Sequence, residues 1–138
     1  MDSLFTLITL KQFVILLVVF LALDMLWLLV IAKSFYAKHL GYLLAEKPNL
    51  TAALVFYLIF TAGMLVFVVQ PALAAGSWQR ALTLGIFFGL VTYSTYDLTN
   101  HATIRDWPLL ITFVDIAWGC VLGALTATLG YLLIVRLL

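Results

Sequence analysis

Charge is scarce in this chain. Only 9% of its 138 residues are Asp, Glu, Lys or Arg, against about 25% in a typical soluble domain. Beside 66% hydrophobic residues, that shortage excludes a soluble fold. A core of this size has no room to hide so much apolar surface, so lipid is the solvent for most of the chain. A net charge of +1 leaves neither the basic footprint of a nucleic-acid binder nor an acidic tail. Cysteine is limited to Cys120, inside an apolar run, which excludes an internal disulfide and a CxxC metal signature. It reads as a small apolar filler. The chain also lacks a His-rich box, HExxH, GxSxG and a CDP-alcohol-type run of spaced aspartates.

Long apolar runs take the place of charge. The first, 13–32, is 20 residues, which at ~1.5 Å per residue matches a ~30 Å hydrocarbon layer. It is too long for a signal h-region of ~7–15 residues and reads as a span, not a cleavable leader. The second covers 52–69, after the breaker Lys47-Pro48-Asn49. The third, 81–100, follows the turn Pro71…Gly76-Ser77, is apolar to about Leu90 and then turns polar. The fourth, 109–135, follows Pro108, a residue suited to a first helical turn. Asp106 just before it is placed to meet the free N–H groups of that helix start.

The fold expected is all-α and integral to the membrane: one domain over 1–138, a four-helix transmembrane bundle of up-down topology with both termini on one side. That side, A, carries Lys11, Arg80 and Arg136; the opposite side, B, carries Lys33, Lys38, Lys47 and Arg105. The positive-inside rule tilts side B toward the cytoplasm by a single charge, so dual insertion stays open. Trp78 and Trp107 fall at expected membrane interfaces.

Against this background Asp24, Asp97 and Asp115 stand out. A charged aspartate at the centre of a membrane helix costs roughly 2.5–3.5 kcal/mol on insertion scales. Asp24 precedes Lys33 by nine residues, about 13 Å along a helix, and Asp115 follows Pro108 by seven, about 10 Å. Asp97 comes near the end of the third segment. Chain direction therefore places all three carboxylates in the half of the membrane nearer side B.

Helical spacing groups their neighbours. Tyr93, Asp97, Asn100 and His101 form one stripe, Thr112, Asp115 and Gly119 another, and Asp24 shares a face with Trp27. Asp-x-x-Trp occurs as Asp24…Trp27 and Asp115…Trp118, so each tryptophan is expected to close the pocket beside its own carboxylate. Arg105, near the entrance, pairs with Asp106 or neutralises Asp97. No Lys or Arg lies beside Asp24 or Asp115 within the first and fourth segments, so at least one of the two is expected to be protonated at neutral pH. The second segment carries no charge and reads as a lipid- or dimer-facing strut. Gly85 and Gly89, and Gly119, Gly123 and Ala127, form small-residue rows that let helices approach closely, within one chain or across a homodimer.

Asp24-Met25-Leu26-Trp27, Phe35-Tyr36 with Leu40-Gly41, Tyr96-Asp97-Leu98-Thr99-Asn100, Arg105-Asp106-Trp107-Pro108 and Val114-Asp115-Ile116-Ala117-Trp118-Gly119 resemble a bacterial family of predicted membrane proteins of unknown function. The resemblance covers essentially the whole chain. It implies a four-helix protein of the bacterial inner membrane and supplies no activity. Its motif stretches include Asp24, Asp97, Asn100, Arg105, Asp106, Asp115 and Trp118.

The residues leave three functions open. The first is proton- or cation-coupled transport, or binding, of a small cationic or amphipathic molecule by the aspartates, since burial favours the protonated carboxyl, which can release its proton when cargo arrives. The second is an intramembrane enzyme acting on a lipid, with the aspartates as acid and base, or with Asp24, Asp97, Asp115 and His101 around a divalent metal. The third is a structural subunit whose polar residues specify packing. No cofactor is expected beyond that metal. Membrane lipids and a second copy of the chain are the expected partners, and nucleic acid is not.

Overall fold

The computed structural model describes residues 6–138, and among these every regular element is a helix. In chain order they are α1 (Leu7–Leu26), α2 (Lys33–Leu40), α3 (Leu50–Met64), α4 (Gln70–Ala75), α5 (Trp78–Thr103) and α6 (Leu109–Leu137). A π-helical turn over Trp27–Ile31 extends α1, and another over Leu65–Val69 joins α3 to α4. Side-chain caps fix three starts: Thr6 accepts from the Thr9 N–H at 3.1 Å, Asn49 from Ala52 at 3.0 Å and Ser77 from Arg80 at 3.1 Å. Each satisfies an N–H that the helix itself leaves free.

Among the described residues three rods are long and apolar enough to cross a membrane: Leu7–Ile31, Leu50–Ala75 and Leu109–Leu137. Large apolar side chains such as Leu29, Val30, Ile59, Phe67, Phe87 and Phe113 are exposed along the helices, as lipid contact requires. At 26 residues α5 is equally long, about 39 Å, but its second half is polar. Much of that polarity is turned inward on the helix. The hydroxyls of Thr92, Thr95, Thr99 and Thr103 each donate to the carbonyl four residues back.

The second rod runs further than its sequence suggests. Pro71 was expected to end it, yet the helix continues to Ala75. A proline ring clashes with the carbonyl four residues back. The π turn ahead of Pro71 widens the ladder there, with the Gln70 N–H reaching the Leu65 carbonyl. Gly76, at φ 61°, then stops α4, and the Gly76 and Ser77 N–H groups bond back to Leu73 and Ala72.

Another departure is α2, where only a loop was expected between the first two segments. Leu40 packs with Trp107 and Ile111, flanked by Phe35, Tyr36 and Ile104. This small apolar cluster fastens α2 over the α5–α6 turn. Trp107 is consequently buried and donates its indole N–H to Thr112 at 3.1 Å, instead of lying free at an interface. Asp106 does not cap α6, whose start has no side-chain cap. Its φ of 58° turns the chain, and its carbonyl accepts the Tyr42 hydroxyl at 2.6 Å.

The main core joins Leu16 and Phe20 of α1, Phe60 and Met64 of α3, Val68, Ala72, Ala81 and a face of α6 from Leu122 to Ile134. It fills the end of the molecule nearer the α4–α5 turn. Helices α5 and α6 run antiparallel in backbone contact. A Cβ on Gly89 would sit 1.9 Å from the Gly119 carbonyl oxygen, and one on Gly123 would sit 2.1 Å from that of Gly85. Both glycine rows are thus spent inside one chain, and a homodimer would have to use other faces.

Candidate functional site

Between the two apolar clusters lies a cavity of about 720 Å³. Asp24, Trp27, Tyr57, Tyr93, Asp115 and Trp118 contribute to its wall, together with Lys33, Tyr36, Phe56, Phe60 and Tyr96. Asp24 and Asp115 are buried at 4% and 6% exposure, whereas Lys33 is exposed. Every long rod and α2 supplies part of the wall.

Each cavity carboxylate is held by a tyrosine from another element. Tyr57 of α3 donates to Asp24 Oδ2 at 2.6 Å. Tyr36 of α2 donates to Asp115 Oδ1 and accepts the Trp27 indole N–H at 3.1 Å. Burial, and then the bond to Asp115, push the Tyr36 hydroxyl above the usual phenol range. It therefore remains a donor through neutral pH. Sequence reasoning missed both tyrosines as site residues. Tyr57 sits on the segment read as a lipid- or dimer-facing strut, yet it turns its hydroxyl inward to Asp24. The signal available was a phenol inside an apolar helix, since a buried tyrosine hydroxyl usually finds a partner.

The tryptophans work crosswise. Trp27 and Trp118 stack with ring centroids 4.4 Å apart and planes 8° from parallel. Trp27, three residues after Asp24, reaches Asp115 through Tyr36, while the Trp118 indole lies beside Asp24. No hydrogen bond of normal geometry closes from Trp118 Nε1, which stays buried without a partner. The expected pairing of each tryptophan with its own aspartate is thus exchanged. The stack brings the two rings face to face and carries each indole across to the neighbouring helix.

Asp97 stands behind this wall. Its exposure is 0%, and among the described residues neither carboxylate oxygen has a hydrogen-bond partner. It meets Asp115, one turn along α6 from Gly119. The antiparallel match of Gly85 with Gly123 and of Gly89 with Gly119 brings position 97 level with 111–115. Gly119 also makes room for Tyr93, since a Cβ there would lie 2.4 Å from the ring.

The rest of the polar stripe does not join. Asn100 is half-buried, and His101 and Arg105 are exposed. Arg105 leaves both Asp97 oxygens unbonded, so it does not neutralise that carboxylate. Among the described residues, no three His, Cys, Asp or Glu side chains come together as metal ligands would. The four candidates Asp24, Asp97, Asp115 and His101 are not gathered into one such group there: His101 is exposed, and Asp24 is bonded by Tyr57.

The profile of a family described as predicted membrane protein (DUF2177) matches residues 9–132. No curated protein and no solved structure matches the chain.

Proposed function

The chain belongs to the DUF2177 family of predicted membrane proteins, and from that premise we propose that it binds a small amphipathic cation and exchanges it for a proton. In this reading all four long rods cross a bacterial inner membrane, α5 included, with both termini on one side. The Lys33, Lys38, Lys47 and Arg105 side faces the cytoplasm.

One observation carries the reading: two buried carboxylates, Asp24 and Asp115, line a single cavity whose remaining wall is largely aromatic and apolar. Its size lies within the ~300–1,000 Å³ usual for small-molecule sites. Carboxylates attract a cation, and the faces of Trp27, Trp118, Tyr57, Tyr93 and Tyr96 favour one further through their quadrupoles. The apolar wall suits the rest of an amphipathic molecule. The open space and the unpartnered acceptor at Asp97 favour this reading over a network that only specifies packing.

The test uses purified protein in detergent with tetraphenylphosphonium as probe. Binding is read from tryptophan fluorescence, since Trp27 and Trp118 line the wall. Wild type is expected to bind and to release protons into a weakly buffered solution. Asp24→Asn and Asp115→Asn should weaken binding at least about tenfold, the effect of removing ~1.4 kcal/mol of interaction, while keeping wild-type helix content. Failure of the wild-type protein to bind this probe and long-chain amines overturns the proposal, as does full binding in both variants.

A further inference from the structure

We infer that Asp97 and Asp115 hold one proton between their carboxyl groups, and that Asp97 is the keeper of the proton exchanged at the cavity. The inference rests on the cation-site reading for its functional role, but the shared proton stands on geometry of its own.

Asp97 is fully enclosed, lies outside the cavity wall and has no hydrogen-bond partner on either oxygen. A carboxylate so placed is rare, because a buried charge without donors is among the costliest groups in a fold. Its contact is Asp115, a second carboxyl group. Two oxygens that both accept have nothing to exchange unless a proton lies between them. With one proton the pair carries a single negative charge, and one carboxyl donates to the other.

Among the described residues the surroundings offer no other counter-charge. From α2 the pair is faced by Tyr36, whose hydroxyl already donates to Asp115. From α5 it is faced by Tyr96 and, on the Asp115 side, by Tyr93, both neutral phenols. From α6 the facing group is Asp115 itself; the Thr112 hydroxyl accepts the Trp107 indole N–H and makes no bond to either Asp97 oxygen. His101 and Arg105 are exposed, as is Lys33 at the cavity wall.

The two members of the pair divide the work. Asp115 reaches the cavity and can touch an occupant; Asp97 cannot. When a cation settles against Asp115, the pair can lose its proton to water without changing the total charge of the site. One O–H bond breaks, one proton leaves, and the cation's charge takes its place. Emptying the cavity reverses the exchange.

Infrared spectroscopy across a pH titration tests the shared proton without any ligand. Wild-type protein in lipid vesicles should show a protonated-carboxyl band at neutral pH that survives Asp24→Asn and disappears in Asp97→Asn. Absence of that band in the wild type, or its survival in Asp97→Asn, overturns the inference. The wild-type arm needs no variant to fold. The functional arm uses tetraphenylphosphonium. Wild-type affinity should fall about tenfold per pH unit on acidification below neutrality, the slope for one exchanged proton, and Asp97→Asn should flatten that slope. An unchanged slope removes Asp97 as the keeper. Failure of probe binding in the wild type, with the infrared band present, would sink the cation reading and leave the shared proton intact.

Discussion

Asp24 depends on a single phenol. Among the described residues Tyr57 gives this buried carboxylate its one hydrogen bond of normal geometry, across 33 positions of sequence. Tyr57→Phe removes the donor and keeps the ring, which packs on Phe20 and Phe56. The expected loss is about 1–3 kcal/mol, the cost of leaving a buried acceptor unsatisfied, seen as a lower thermal midpoint in detergent. An unchanged midpoint would mean that the bond contributes nothing to stability. The carboxylates themselves were legible in the sequence, because an aspartate in an apolar helix is conspicuous and its depth can be counted. The tyrosines that hold them were not, because an aromatic residue in a membrane helix gives no sign of where its hydroxyl points. His101 shows the converse error. Helical spacing put it with Asp97, but a stripe four residues wide turns away from the packed face before it ends.

At the scale of elements, α2 does most to shape the site. Leu40 pins it to Trp107 and Ile111, and Tyr36 then reaches Asp115. Leu40→Ala removes a buried anchor, a change that costs about 2–5 kcal/mol in a closed core. In a peripheral cluster the effect should stay local. Hydrogen exchange should quicken over Lys33–Leu40 and remain as in the wild type over α5 and α6. Uniformly faster exchange would show that α2 does not open as a unit. This helix was hidden in the sequence because it is eight residues long and short of a full apolar stripe. Its order comes from Trp107, Ile111 and Ile104, far along the chain. The π turn before Pro71 was hidden for a related reason: proline ordinarily marks the end of a helix, and the wider ladder that accommodates it has no composition of its own.

For the whole molecule, the three apolar rods Leu7–Ile31, Leu50–Ala75 and Leu109–Leu137 were readable because lipid demands about 20 apolar residues per span. The polar half of α5 is where that reading is weakest, and its threonine back-bonds explain how such a segment lowers its demand for water. Single cysteines in a Cys120→Ser background check the topology. Thr6→Cys, Ala75→Cys and Leu138→Cys should label from one side of the membrane, and Glu46→Cys and Thr103→Cys from the other. Leu138 labelling opposite to Thr6 would reject four spans, and equal labelling from both sides would show dual insertion. The glycine contact between α5 and α6 has a mechanical consequence. With carbonyls lodged where side chains would normally stand, these two helices have no compliant layer between them and run unbroken for 26 and 29 residues. Both π turns fall instead in the first two rods. The molecule is thus a stiff jamb with a jointed door, and an occupant too large for the resting cavity would gain room by displacing the door.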